Sequence, residues 1–218
     1  MKLFRAEISP LVDLVADVSG SMTFTAAKAA RLDALMVFCA ESAARAGAPV
    51  RVYAVNGRDV QAVPVESVRG GNWRGGLKAE KTKPAAGSLP GPLPWRTGAL
   101  KVLISDLLYP GDPTGVLAAM AVEGGHAIVL APGLAEEADV PARGNVELVD
   151  CEGAPPRRQR IDEALAERYR AAYARHFGLW REAARRRGVG FARVACEGSL
   201  VEALTADALA AGAVELNA

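Results

Sequence analysis

Short apolar runs that stop at polar residues recur along this chain. Residues 11–16 (LVDLVA), 100–105 (LKVLIS) and 127–131 (AIVLA) are each long enough for one strand, and the first two end at Asp17 and Asp106. Continuous apolar runs of this length are typical of strands that are buried on both faces, as in parallel sheets. Helical patterns lie between the runs, and the alternation of strands with helices predicts a mostly parallel sheet.

Two long segments have apolar residues at three- and four-residue spacing, which predicts amphipathic helices. The first covers residues 26–46, and the second covers residues 162–187 and stops at Gly188. The second helix carries an apolar and aromatic face made of Leu165, Tyr169, Ala172, Tyr173, Phe177, Trp180 and Ala184. We expect this face to pack on the sheet. A last strand at 190–195 and a helix at 200–210 follow.

Two pairs of segments have the pattern of antiparallel hairpins. Residues 50–55 (VRVYAV) and 60–65 alternate apolar and polar positions on either side of Asn56-Gly57, a favoured hairpin turn. Residues 146–149 and 158–161 form a second possible pair. The first hairpin continues from the predicted parallel sheet, so we expect it to form an antiparallel edge.

These elements predict an α/β fold with a doubly wound, mostly parallel sheet, helices on both faces and one antiparallel edge hairpin. At 218 residues, the chain is expected to form a single domain over positions 1–218. Residues 67–98 interrupt the pattern, because glycine and proline crowd this stretch and periodicity is lost. We predict a long Gly/Pro-rich loop there.

The predicted loop has a charge pattern of its own. Between residues 67 and 101 the basic side chains face a single acid, Glu80, and two tryptophans lie among them. Basic and aromatic residues together often anchor binding partners. The candidate partner-binding residues are Arg69, Trp73, Arg74, Lys78 and Trp95. The alternative is a solvated, flexible loop without a binding role.

Composition excludes several classes of protein. Half of the residues are hydrophobic (50%) and 23% are charged, so the chain buries a core and is not mainly disordered. The net charge of +1 gives no general attraction to nucleic acid, and none is expected as a partner. Three widely spaced cysteines argue against a zinc site or a disulfide framework. No apolar run reaches the ~18 residues of a membrane span, so we expect a cytoplasmic protein.

The most informative residues follow the first strand, in the sequence Asp17-Val18-Ser19-Gly20-Ser21. In open α/β sheets, ligands bind at the carboxyl ends of the strands. One carboxylate and two hydroxyls alternate through this turn, and the strand at 100–105 is expected to deliver Asp106 to the same edge. Hard oxygen ligands suit Mg²⁺. The predicted metal ligands are Asp17, Ser19, Ser21 and Asp106. The alternative is that these residues cap the following helix or form a turn.

The segment LVADVSGSM resembles the DxSxS metal-ion-dependent adhesion site of von Willebrand factor A domains, and ISDLL resembles the strand that carries their second aspartate. ISDLLYPGDP, LVDCEG and WREAARRRGVGFARV are similar to the bacterial family called domain of unknown function 58, over residues 2–216. The resemblance implies a non-enzymatic, metal-assisted protein-binding module, often working beside a MoxR-type AAA+ ATPase. In that mechanism Mg²⁺ keeps an open position for an acidic side chain of the partner.

The sequence departs from these families at two places. Von Willebrand A domains add a threonine ligand from a second loop, which here corresponds to the Gly/Pro-rich stretch. Thr97 precedes the strand that ends at Asp106, so at ~3.3 Å per residue it belongs to the opposite edge of the sheet. Thr82 and Ser88 remain open as the further ligand. The GDxxRxIDW-like segment that usually precedes KLFRAE is absent, so we expect a fragment of a longer protein.

Two other functions remain as alternatives. A metal-dependent phosphohydrolase would use Asp17 as its nucleophile, but such enzymes need a second aspartate two residues later, where this chain has Ser19. No GxGxxG, GxxxxGK[ST] or GxSxG motif occurs, so we expect no enzyme of those classes. The third possibility is a metal-free scaffold. His176 is expected to be packed and hydrogen-bonded rather than a ligand.

Overall fold

A computed structural model describes residues 10–57, 59–77, 93–109, 111–122, 124–151 and 155–215. Its strands in chain order are β1 (Val12–Asp17), β2 (Val50–Asn56), β3 (Asp59–Val63), β4 (Leu100–Ile104), β5 (Ala127–Gly133), β6 (Gly144–Leu148), β7 (Arg157–Ile161) and β8 (Gly190–Ala195). Six of them form one sheet in the order β3-β2-β1-β4-β5-β8. All neighbours in this sheet are parallel except β2 and β3, which form an antiparallel hairpin at the edge. The predicted pairing of β6 with β7 is also present, as a separate antiparallel sheet.

The helices in chain order are α1 (Gly20–Thr23), α2 (Ala26–Arg45), α3 (Val65–Arg69), α4 (Pro113–Ala121), α5 (Ala135–Ala138), α6 (Glu163–Arg187) and α7 (Leu200–Ala203). A 3₁₀ turn covers Trp73–Gly76, and a π-helical turn at Leu204–Ala208 continues α7. Buried side chains of α2 and of the turn after α7 pack on one face of the sheet. Those of α4 and α6 pack on the other face. The predicted doubly wound α/β fold is confirmed.

Local signals explain where the two long helices begin and end. The Thr25 hydroxyl accepts a hydrogen bond from the Lys28 amide and caps α2. The Asp162 carboxylate accepts from the Leu165 amide and caps α6 in the same way. At the other end of α6, Gly188 has a φ of +65°, the left-handed conformation that glycine adopts without strain. Among the described residues, none of the helices is both long and apolar enough to cross a membrane.

The stretch predicted as one long loop is partly regular. Residues 65–69 form α3, the 3₁₀ turn follows at Trp73–Gly76, and the side chains of Val68 and Trp73 are buried in the core. The sequence interpretation was wrong here because two isolated apolar residues among glycines leave no periodic pattern. Residues 78–92 lie outside the described residues.

The sheet has a topological switch point between β1 and β4, the two neighbouring strands whose following helices lie on opposite faces. The chain leaves β1 to form α2 on one face, whereas it leaves β4 to form α4 on the other face. The loops after the two neighbouring strands therefore diverge. Open α/β sheets bind ligands at the carboxyl ends of such strands, and we call this region of the molecule the crevice. Asp17 ends β1, and Asp106 follows β4 by two residues.

Candidate functional site

Asp17 is held at the carboxyl end of β1 by hydrogen bonds to both of its carboxylate oxygens. The Ser19 amide donates to Oδ1 over 2.9 Å, and the Ser105 hydroxyl donates to Oδ2 over 2.7 Å. The residue is only 7% exposed. Ser105 follows β4, so this contact ties the two central strand ends together. The carboxylate is therefore fixed in position and has little access to water.

The two serines of the motif lie beside each other at the start of α1. The Ser19 and Ser21 hydroxyl oxygens are 3.2 Å apart. Ser19 precedes α1 but makes no side-chain capping hydrogen bond, and Thr25 is the residue that caps the long helix. The alternative that Asp17, Ser19 and Ser21 cap the predicted long helix is therefore wrong. Their side chains remain grouped at the crevice.

Asp106 is buried and has partners on both carboxylate oxygens. Its Oδ1 accepts from the Leu108 amide over 3.1 Å, which closes a tight turn after β4. Its Oδ2 accepts from Lys28 Nζ over 2.7 Å. Lys28 Nζ also forms an ion pair with Glu137 Oε1 on α5. Asp106 therefore has two roles. Its Oδ1 stabilises the turn after β4, as the turn interpretation predicts, and its Oδ2 belongs to a buried cluster of ion pairs.

Burial and neighbouring charges shift the pKa values of several groups at the site. Burial, and then repulsion from Asp106, raise the pKa of Asp17 from 3.8 to about 6, against the hydrogen bonds from Ser105 and Ser19 that lower it. Burial alone would lower the pKa of Lys28, but Asp106 and Glu137 raise it above its ordinary value. Burial and the charges of Asp17 and Asp106 also raise the pKa of Tyr109, whose hydroxyl has no hydrogen-bond partner among the described residues. A further positive charge would be favoured beside Asp17.

An unusual backbone conformation supports the Asp106 turn. Leu107 has a φ of +60°, and it is the one described residue other than glycine with a positive φ. Such a conformation persists only where the surroundings enforce it. His176 Nε2 donates to the Leu107 carbonyl oxygen over 2.8 Å, and the Ser105 hydroxyl accepts from the Leu107 amide over 3.2 Å. The prediction that His176 is a hydrogen-bonded packing residue is confirmed.

The described candidate partner-binding residues do not come together on one surface. Trp73 is 1% exposed, its Nε1 donates to Asp33, and it packs on the α2 side of the sheet. Trp95 is half-buried against the α4 and α6 side. An aromatic anchor must be exposed to reach a partner, so the expectation for Trp73 is corrected to a core role.

The basic residues of the same set have partners within the chain. Arg69 forms ion pairs with Glu41 and Glu66. Arg74 donates to the Asp33 carboxylate and to the Ala29 carbonyl oxygen, and it lies over the Trp73 ring. Lys78 lies outside the described residues. Through these contacts, Arg69 attaches α3 to α2, and Arg74 attaches the 3₁₀ turn to α2.

Thr97 is too far along the sheet to be a further hydroxyl ligand. Thr97 precedes the first residue of β4, whereas Asp106 follows its last residue, so the two lie at opposite edges of the sheet as expected. Thr82 and Ser88 lie outside the described residues. In the part of the chain that the structure describes, no group of three or more His, Cys, Asp or Glu side chains is placed to hold a metal. The candidate donor set is instead two carboxylates with serine hydroxyls, which suits a hard cation that keeps several waters.

Sequence reasoning missed three residues of the site: Lys28, Ser105 and Glu137. The sequence pattern places Ser105 at the end of a strand, and nothing in a strand pattern shows that its hydroxyl reaches Asp17. Lys28 did leave a signal, because it lies four residues before Leu32 on the buried face of α2. A lysine at a core position requires a charged partner. The partner Glu137 is 109 residues away in the chain, so the sequence could not identify it.

Asp17→Asn is expected to stabilise the metal-free chain at neutral pH. The pKa of Asp17 is raised in the folded state to about 6 from an ordinary 3.8, so folding penalises the ionised form. This penalty is fully present above about pH 6 and disappears as the pH falls below about 4, which gives at most about 3 kcal/mol. Urea unfolding between about pH 4 and pH 8, in a chelating buffer, measures the difference.

The control for this prediction is Glu167→Gln, which removes an exposed carboxyl on α6. It should leave the free energy of unfolding nearly unchanged across the same pH range. A stability difference between Asp17→Asn and the parent that grows toward acid pH would contradict the prediction.

Comparisons with known proteins identify the family of this chain. The chain is similar to the crystal structure of the conserved hypothetical protein BatB from Bacteroides thetaiotaomicron, with 16% identity and a TM-score of 0.46, over 94% of this chain and 100% of that chain. Comparison with curated proteins gave no match. The family model described as "Protein of unknown function DUF58" matches residues 1–178, well over half of the sequence. The chain therefore belongs to the DUF58 family.

Proposed function

We propose that this DUF58 chain is a protein-binding module whose contact with its partner depends on a divalent cation, Mg²⁺ in the first instance. Asp17, Ser19, Ser21 and Asp106 would hold the cation. The observation that carries the proposal is the position of Asp17, a buried carboxylate at the strand end whose hydrogen bonds come from neutral groups. Burial, and then repulsion from Asp106, raise its pKa to about 6. Hydroxyls that cap no helix lie beside this carboxylate. The resemblance to the von Willebrand A adhesion site supports the same set.

Each residue has a distinct part in this proposal. Asp17 supplies the negative charge. Each of its carboxylate oxygens accepts one hydrogen bond and keeps a lone pair that can bind the cation. Ser19 and Ser21 supply neutral oxygen donors. Asp106 adds charge at the neighbouring strand end, although Lys28 already occupies one of its oxygens. When bound, a hard divalent cation would offer an open coordination position to a carboxylate of the partner.

The surface around the crevice suits a protein partner. Phe24 follows α1 and is 67% exposed, and Leu108 follows the Asp106 turn and is also exposed. Each of the two loops that carry the aspartates therefore presents an apolar side chain to solvent. Apolar side chains beside a charged centre are common in protein interfaces.

The resemblance points to a MoxR-type AAA+ ATPase as the partner, with an acidic side chain reaching the cation. Use of ATP by the partner implies that the complex forms in the cytoplasm. The near-neutral charge of this chain supports a protein rather than a nucleic acid at the site.

The proposal includes no catalytic step. A phosphohydrolase with Asp17 as nucleophile would need an acid–base carboxylate two residues later, and Ser19 stands there. Measurement of phosphomonoester turnover with Mg²⁺ addresses this alternative directly. Turnover that Asp17→Asn abolishes would favour the enzyme over the binding module.

The ion pairs of Lys28 favour a second candidate, the metal-free scaffold. The ammonium group of Lys28 already compensates the charge of Asp106, and Glu137 completes the cluster. A site whose second carboxylate is neutralised internally has less need of a metal. The two candidates differ in whether partner binding responds to Mg²⁺.

Affinity capture from the source cell tests the proposal. The intact chain, Asp17→Ala and the control Glu167→Gln are compared with Mg²⁺ and with a chelator, and captured proteins are identified by mass spectrometry. We expect a MoxR-type ATPase to be captured by the intact chain and by Glu167→Gln in Mg²⁺ only. Capture that persists in chelator and with Asp17→Ala would support the scaffold instead.

A further inference from the structure

Lys28 is a buried cation inside the candidate site. It lies in the first turn of α2 and is 1% exposed. Its Nζ is 2.7 Å from Asp106 Oδ2 and is also paired with Glu137 Oε1. Burying an ammonium group is expensive unless opposite charges compensate it. The two carboxylates therefore explain why Lys28 can be buried here. One of them, Asp106, is a proposed ligand of the metal.

The charges of the cluster do not cancel. Two carboxylates, those of Asp106 and Glu137, share one ammonium group, that of Lys28, and Asp17 adds a third carboxylate at the neighbouring strand end. Asp17 makes no ion pair with Lys28, and its hydrogen bonds come from neutral groups, Ser19 and Ser105. The excess negative charge therefore rests mainly on Asp17. Lys28 and an added cation would both be attracted to Asp106.

Glu137 gives Lys28 a second, fixed position. Its Oε2 accepts from the Leu134 amide over 3.0 Å at the start of α5, which orients the carboxylate. The other oxygen pairs with Lys28. The ammonium group can therefore keep its contact with Glu137 when it gives up the contact with Asp106. Without Glu137, Lys28 would depend on Asp106 alone.

We propose that Lys28 is a tethered cation that competes with the divalent cation for Asp106, and that Glu137 sets the outcome by holding Lys28 aside. The proposal rests on the proposed function, because it concerns the affinity of the same site. It makes Lys28 a residue that keeps metal affinity low in the free chain. It also assigns opposite effects to removal of Lys28 and removal of Glu137.

Calorimetric titration of Mg²⁺ into the full chain tests this inference. Lys28→Met removes the competing charge and keeps an unbranched side chain that is one atom shorter, and we expect Mg²⁺ to bind at least ten times more tightly than in the parent. Glu137→Gln leaves Lys28 with Asp106 alone, and we expect binding several times weaker. Adding Asp17→Asn to either variant should abolish binding.

Lys101→Met is the matched control. Lys101 is also 1% exposed, but it lies on β4 and its Nζ donates to the carbonyl oxygens of Met120 and Val122. This variant also removes a buried lysine charge and should keep the parent affinity. Should Lys28→Met fail to fold, Lys28→Met/Glu137→Gln removes one charge of each sign from the cluster and is still expected to bind Mg²⁺ more tightly than the parent.

The outcomes separate this inference from the proposed function. Affinity in Lys28→Met that equals the parent value, with binding still lost in Asp17→Asn, overturns the competition and leaves the proposed function intact. An equal gain in Lys101→Met overturns it as well. Binding that is detectable in Lys28→Met alone supports the competition. No heat of binding in any variant at millimolar Mg²⁺ overturns both the competition and the metal site.

Discussion

Replacement of Trp180 by alanine is expected to lower the free energy of unfolding by about 3–5 kcal/mol, the usual range for a large buried aromatic residue. Trp180 lies on α6 and is 1% exposed. It packs with Phe177, Leu117 and Val129 between the helix and the sheet. The Tyr109 ring meets it edge-to-face with 6.0 Å between ring centroids. The alanine variant would leave a cavity that these rigid neighbours cannot close.

Thermal and urea unfolding measure the effect. For a chain of this length, the loss corresponds to a decrease in Tm of roughly 6–20 °C. Leu179→Ala changes the adjacent residue of the same helix, which is 57% exposed, and should cost well under 1 kcal/mol. Trp180→Phe keeps most of the ring and removes an N–H group that has no partner among the described residues. Its loss of free energy of unfolding should lie between the losses of the two alanine variants.

A change in Tm of only a degree or two for Trp180→Ala would contradict the packing of α6 on the sheet. That packing also matters for the site. The Tyr109 ring rests on Trp180, and the Tyr109 hydroxyl lies in the electrostatic field of Asp17 and Asp106. His176, from the same helix, holds the Leu107 carbonyl oxygen of the Asp106 turn. Helix α6 thus supports one wall of the crevice.

The sequence predicted the elements whose signals are local. The run ending at Asp17 became β1, and the aromatic periodicity ending at Gly188 became α6, because burial and capping act within a few residues. Asp17 and Asp106 could be assigned to one edge of the sheet because parallel neighbouring strands present their carboxyl ends together. The motif and the predicted topology were therefore enough to place the two carboxylates at the ends of neighbouring strands.

The sequence failed where a residue's role depends on a distant partner. Trp73 stands among glycines and basic residues, and only the position of Asp33 on α2 shows that its ring is buried and its N–H satisfied. Lys28 has the same difficulty, since its burial is acceptable only because Asp106 and Glu137 come from two other parts of the chain. The local composition predicted that Trp73 is exposed at a binding surface, whereas its tertiary contacts bury it in the core.

The second large effect is expected for Asp17→Ala, which should abolish both cation binding and partner binding. Asp17 supplies the one carboxylate of the candidate set that has no basic side chain beside it. Mg²⁺ gives up its hydration shell reluctantly and requires charge from its ligands, so the serine hydroxyls alone should not retain it. The fold should survive, because Asp17 ends its strand and its charge is penalised in the folded state.

In the parent chain, Mg²⁺ and the partner should bind cooperatively. The partner's carboxylate adds a negative charge at the cation, and the cation adds a positive charge for the partner, so each should raise the other's affinity by the same factor. A coupling of about 5–150-fold is typical. Calorimetric titration of Mg²⁺ with and without the purified ATPase gives one factor, and titration of the ATPase with and without Mg²⁺ gives the other.

Three results of this experiment would each redirect the interpretation of the site. Unequal factors would show that one titration includes a second binding event. Submicromolar Mg²⁺ affinity in the chain alone would mean that another oxygen ligand completes the site, and Thr82 and Ser88 would be the first to replace. Partner binding that is indifferent to Mg²⁺ and to Asp17→Ala would contradict the metal-dependent mechanism, because Lys28 would then be sufficient as the cation beside Asp106.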